Sequence, residues 1–104
     1  MSSVELVVRD LMEKLLDNQL REENLTLLRE AFEISIPSEA IRGDLRDAVF
    51  GYVMGTVQSN FFTLFRTIFN RNPKKEELKI AIDVYQKKIT LIKKRIDETF
   101  TCDS

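Results

Sequence analysis

The sequence predicts an all-α domain, and three observations support this prediction. Only three Gly and two Pro occur in 104 residues, so turns are scarce, while helix-favouring Leu, Lys, Arg and Glu are abundant. Apolar residues recur at three- and four-residue spacing along most of the chain. Residues 48–65 carry no charge, although 32% of the chain is charged. Because an uncharged helix is normally covered on all sides, we expect a bundle of three to four helices around this segment.

The length and the termini predict one cytoplasmic domain. A chain of 104 residues forms a single core, which we assign to residues 1–100, with residues 101–104 as a flexible tail. The single cysteine, Cys102, cannot form an intrachain disulfide, and the first residues lack the basic start and apolar core of a secretion signal. Thr56, Gln58 and Ser59 within the uncharged segment would be costly against lipid, so we expect no contact with a membrane.

Two helices are predicted before the first proline. Ser2, Ser3 and Glu5 resemble a capping box, and the apolar pattern that follows indicates a helix over about residues 3–17. The pattern shifts phase at Asp17–Asn18 and resumes at Leu20, which predicts a short break. One long bent helix is the alternative.

Two longer helices are predicted in the second half. Pro37 favours an extended loop at residues 34–38, and either Ser38 or Asp44 can cap a helix that runs to about Phe69. Asn72 as cap and Pro73 as first residue then predict a last helix that continues to about Thr99. With about 26 residues each, these helices predict a long antiparallel hairpin that dominates the bundle.

The last helix carries two apolar seams. Leu78, Ile82, Tyr85, Ile89, Ile92 and Ile96 repeat like a coiled-coil seam and are predicted to pack inward. Ile80, Val84 and Leu91 lie on nearly the opposite side, which should be polar in a monomeric bundle. Either an amino-terminal helix or a second protomer must cover this side.

Small residues lie along one flank of the central helix. Gly51 and Gly55, four residues apart, each cost a helix about 1 kcal/mol relative to Ala, which suggests that another backbone approaches closely, from within the chain or from a partner. We predict that the bundle is completed by dimerisation through these positions and the second seam. The predicted contact residues are Ala48, Gly51, Gly55, Phe62, Ile80, Val84 and Leu91.

Enzymatic chemistry has little support in the sequence. There is no histidine, and Cys102 lies in the predicted tail, so the usual nucleophile–base pairs are missing. Glu30, Glu33, Asp44 and Asp47 form an E-x-x-E and D-x-x-D pattern that resembles the all-α nucleotide pyrophosphohydrolases, although Asp44 stands where Glu is usual. The resemblance implies Mg²⁺ held by these four carboxylates and a nucleoside triphosphate as substrate.

The sequence therefore favours a non-catalytic role in protein–protein interaction, without a cofactor. We expect a homodimeric adaptor, regulator or assembly subunit that can also bind another protein. A magnesium-dependent nucleotide pyrophosphohydrolase is the first alternative. A subunit of a nucleic-acid-associated complex is the second, which is disfavoured because the lysines of the last helix scatter around it and alternate with acids.

Overall fold

The computed structural model describes residues 3–35 and 44–101, which form four α-helices and no strand. The helices are α1 (Ser3–Gln19), α2 (Glu22–Ser35), α3 (Leu45–Phe69) and α4 (Lys75–Thr101). The predicted all-α bundle is confirmed. Its extents are 47 × 23 × 22 Å, so the bundle is about twice as long as it is wide.

α1 contributes one continuous apolar stripe to the core. Val8, Met12, Leu16 and Leu20 follow at four-residue intervals and are at most 5% exposed. The break expected at residues 17–18 lies instead at residues 20–21, because the Leu20 amide still donates to the Leu16 carbonyl at 3.0 Å. α1 and α2 are therefore two separate helices, which excludes the alternative of one long bent helix.

α2 packs on α3 and α4 through one side. Leu25 is buried, and the ring of Phe32 meets that of Tyr52 edge-on at 5.7 Å between centroids. The Arg29 guanidinium donates to the Thr99 carbonyl at 2.8 Å. The helix includes Ile34 and Ser35, which were predicted to be loop. The predicted proline turn and the Ser38 cap lie outside the described residues.

α3 ends at the predicted Phe69, and its start after Asp44 agrees with the second of the two starts that the sequence allowed. The Asp44 carboxylate accepts from the Arg46 amide at 2.9 Å, as an N-cap does, and Asn70 closes the helix in the left-handed conformation with φ 55°. Its core stripe is at most 2% exposed and consists of Val49, Val53, Val57, Phe61 and Phe65. One flank of this uncharged helix is open to solvent within the described chain, so the other helices do not cover it on all sides, and the alternative of cover by a second subunit stays a prediction.

The start predicted for α4 is also corrected. The helix begins at Lys75, two residues after the predicted Pro73. The Leu78 amide donates to the Lys74 carbonyl, so the helical hydrogen bonds start from Lys74 and not from the predicted cap Asn72. The Glu77 carboxylate accepts from the Lys74 amide at 2.7 Å, which is one half of a capping box. This bond moves the cap from the predicted Asn72 to Lys74.

α1 lies beside α4 along the second apolar seam. An ion pair of 3.2 Å joins Arg9 to Asp83, and one of 3.3 Å joins Asp17 to Lys88. Val84 lies between these two positions of α4 and is 5% exposed. The amino-terminal helix therefore lies over the part of the seam that contains Val84.

Candidate interaction surface

The small-residue flank of α3 faces solvent. We use this name for Ala48, Gly51, Gly55 and Ser59. The glycines and Ser59 are exposed, and Ala48 is half-buried, as is the neighbouring Phe62. A Cβ added at either glycine would meet no atom within 4 Å. Nothing within the described chain therefore explains why the residues at these two helical positions lack a side chain.

An apolar groove between α3 and α4 lies next to this flank. It has a volume of about 250 Å³, and its lining includes Met12, Met54, Phe61, Phe62, Ile82 and Tyr85. Phe62 packs edge-on against Phe61, with centroids 6.0 Å apart. Gln58, exposed on α3, lines the same groove. We call this feature the α3–α4 groove.

Ile82 was assigned to the inward seam of the last helix, but it is 47% exposed and lines the groove. It lies about 80° around the helix from Ile92, which is buried, at 100° per residue. The polar neighbours Lys79 and Gln86, three residues before it and four after it, were the available signal. Tyr85, which also lines the groove, belongs to the same predicted inward seam and is half-buried.

The remaining predicted contact residues on α4 differ in exposure. Leu91 is 41% exposed, Ile80 is half-buried against the core, and Val84 belongs to the core itself. A partner can therefore reach Leu91 and part of Ile80. Val84 is already covered by its own chain.

The edges of the α3–α4 groove carry positive charge. Lys75 and Lys79 are exposed and lie four residues apart. Ile82 follows Lys79 by three residues, so all three share one side of α4. The nearby Asp83 carboxylate bonds Lys87 and Arg9, each at 3.2 Å, and these bonds lower its pKa. Since residues 48–65 carry no charge, the facing wall offers no acid to offset the lysines.

The four carboxylates of the pyrophosphohydrolase pattern have other surroundings. Asp44 caps α3 and accepts from the Arg46 Nε at 2.8 Å, which holds the pKa of that carboxyl below its usual range. Glu33 lies 3.9 Å from Arg29 on its own helix, and Glu30 and Asp47 are exposed. Across the described ranges, no three acidic, histidine or cysteine side chains form a group suited to a metal ion. The convergence that the magnesium alternative requires is therefore not observed.

Comparisons of the chain with protein-family models, with curated proteins and with solved structures found no match. None of the four helices, within the residues that the structure describes, is long and apolar enough to cross a membrane. The arguments about function therefore rest on the surfaces themselves.

Proposed function

We propose that this chain is a non-catalytic, cytoplasmic interaction domain that self-associates as a homodimer and acts as an adaptor, regulator or assembly subunit. The contact combines the small-residue flank of α3 and the adjoining α3–α4 groove. Leu91 lies about 180° around α4 from Ile82 and is outside this contact.

The scaffold of the proposed contact is α3 and α4 paired as an antiparallel hairpin. Arg71 beside Glu77 joins the end of α3 to the start of α4. At the other end of the pair, Arg46 lies 3.8 Å from Asp97. The Lys93 ammonium lies 5.5 Å from the centre of the Phe50 ring, near that same end. These contacts support a rigid two-helix platform for the surface.

The open space over Gly51 and Gly55 is the observation on which the proposal rests. Two interior helical glycines lower helix stability by about 2 kcal/mol relative to two alanines. No close contact within the described chain offsets this loss, since a Cβ at either position would meet open space. Close packing explains these glycines if a helix of a second copy approaches the α3 backbone more closely than a Cβ would permit. Phe62, about two turns beyond Gly55 and three beyond Gly51, supplies an aromatic anchor of the kind enriched at interfaces.

Light scattering of the purified chain at micromolar concentration tests the proposal, and a dimer is expected. Gly55→Leu should abolish the dimer, because the added side chain fills the space that the second helix needs. Asn60→Leu is the matched control: Asn60 is exposed on the same helix about 140° away and should leave the dimer intact. A monomeric wild-type chain would contradict the proposal, as would a dimer unaffected by Gly55→Leu.

A further inference from the structure

The side of α2 that faces away from the bundle is apolar. Ile34 is 85% exposed and Leu27 is 63% exposed, the highest values among the large apolar side chains of residues 3–35 and 44–101. They are seven residues apart, so they share one side of the helix, with the exposed Ala31 between them. We call Leu27, Ala31 and Ile34 the α2 outer stripe. Nothing in the described residues covers it.

Acidic residues run along the edge of this stripe. Glu23 and Glu30 are exposed and lie one turn before Leu27 and Ile34 respectively. Glu22, Glu23 and Glu30 line a shallow depression with Leu27 and make no ion pair with another residue in the described part of the chain. Arg29, the basic residue within α2, instead donates to the Thr99 carbonyl. The exposed edge of the stripe is therefore negative.

The α3–α4 groove has the complementary character. Its floor is apolar, and Lys75 and Lys79 lie on the wall that carries Ile82. An amphipathic helix binds such a groove through apolar residues at positions i, i+4 and i+7, which is the spacing of the α2 outer stripe. Gly55 lies on α3 outside the groove lining, two turns before Phe62, and the open space above it leaves room beside the groove for the incoming helix.

We propose that the α2 outer stripe of a second copy of this chain docks into the α3–α4 groove, with Glu23 and Glu30 facing Lys75 and Lys79. This inference rests on the proposed self-association and specifies which segment of the second copy makes the contact. In a homodimer this contact occurs twice, related by a two-fold axis: α2 of each copy meets the groove of the other.

Sedimentation measurements on three single variants test the contact. Leu27→Glu disables the stripe and Ile82→Glu disables the groove, and each should raise the Kd of self-association by about 100-fold, because a buried charge replaces an apolar anchor. Leu6→Glu, at an α1 leucine that is 55% exposed, is the matched control and should leave the Kd unchanged. Circular dichroism should show the same helix content in all three.

Mixing the two disabled variants gives the decisive result. Each is monomeric alone, but the intact stripe of Ile82→Glu can dock into the intact groove of Leu27→Glu, so the mixture should form a one-to-one pair. A mixture that stays monomeric overturns the proposal. If the wild type self-associates and Leu27→Glu does so equally well, this inference fails while the proposed function stands. A monomeric wild type overturns both.

A charge exchange tests the same contact without altering the groove floor. Lys75→Glu together with Lys79→Glu should raise the Kd by about tenfold, because the new glutamates would face Glu23 and Glu30 of the second copy and repel them. The double variant Glu23→Lys with Glu30→Lys should restore binding when mixed with it. Failure of this restoration, with both variants folded, contradicts the predicted pairing of the charges.

Discussion

At the scale of single residues, Arg71 and Glu77 form a bidentate ion pair at the joint between α3 and α4. Both guanidinium Nη atoms donate to the Glu77 carboxylate at 2.8 Å, and the same guanidinium lies 5.1 Å from the centre of the Phe65 ring. Glu77 is only 8% exposed, yet the bonds from Arg71 and from the Lys74 amide lower its pKa to about 2. The pair therefore fixes the joint between α3 and α4.

Glu77→Gln should remove most of this stabilisation. Because the folded pKa of about 2 lies below the ordinary 4.5, ionised Glu77 stabilises the fold above pH 4.5, and this contribution is lost as the pH falls towards 2. We expect the variant to lower the free energy of unfolding at neutral pH by about 1–3 kcal/mol. The variant should also show a shallower loss of stability on acidification. Urea unfolding across this pH range measures both effects.

Glu76→Gln is the matched control for that experiment, because Glu76 is the exposed neighbour in the same helical turn. Equal losses of stability in the two variants would contradict the role assigned to the Arg71–Glu77 pair.

The two exposed glycines of α3 make a second prediction at this scale. Gly51→Ala and Gly55→Ala should each raise the free energy of unfolding of the monomer by about 1 kcal/mol, because alanine favours the helix and its Cβ meets no atom within 4 Å. Thermal unfolding of dilute protein is the measurement. If a second copy approaches closely, the same substitutions should weaken self-association. Destabilised monomers would show that the space over the glycines is occupied.

At the scale of secondary structure elements, a side chain from the following helix holds the end of α1. The Asn24 amide nitrogen donates to the Gln19 carbonyl at 2.7 Å and lies 3.2 Å from the Gln19 side-chain oxygen. Carbonyls at the end of a helix lack partners within the helix, so this bond satisfies one of them. It also fixes where α2 departs from α1.

Asn24→Ala should therefore lower the free energy of unfolding by about 0.5–1.5 kcal/mol, the usual contribution of one such hydrogen bond. Asn18→Ala provides the comparison, since Asn18 is exposed inside α1 and alanine has the higher helix propensity. Chemical denaturation of both variants distinguishes the two sites. A loss at residue 18 as large as that at residue 24 would argue against the capping role of Asn24.

At the scale of the whole molecule, long helices produce an elongated shape. The Cα radius of gyration is 15.4 Å, compared with about 13 Å for a compact domain of 100 residues. α3 and α4, with 25 and 27 residues, each extend about 40 Å at 1.5 Å per residue. An elongated bundle encloses less of its surface, which agrees with the exposure of large apolar side chains such as Leu27, Ile34 and Ile82.

Two residues of the second seam of α4 should differ in their effect on folding. Val84→Ala removes buried methyl groups and should lower the free energy of unfolding by about 1.5–3 kcal/mol. Leu91→Ala, at a residue 41% exposed and on the side of α4 opposite the groove, should leave folding and the dimer nearly unchanged. Thermal unfolding and light scattering of both variants test this division. It would be contradicted if Leu91→Ala destabilised the monomer as much as Val84→Ala.

Local patterns were sufficient to predict several elements. Asp44 as one of two possible caps, Phe69 as the last residue of α3 and the existence of α1 depend on neighbours within one or two turns. The cap of α4 was misplaced because Asn72 and Pro73 are the residue types favoured at a helix start, whereas the Glu77 carboxylate that accepts from the Lys74 amide is held in place by Arg71. Ile82 was misassigned because periodicity shows which side of the helix Ile82 lies on, but not whether a neighbouring helix covers that side.

The sequence by itself determined the helical class, the approximate positions of the helices and their apolar sides, because these depend on capping, propensity and spacing along the chain. Only the tertiary structure decided which apolar sides are covered. Helix packing places α1 over Val84, leaves Gly51 and Gly55 open, and exposes Ile82 beside two lysines. Coverage depends on where distant helices lie in space, and no interaction between neighbouring residues fixes that position.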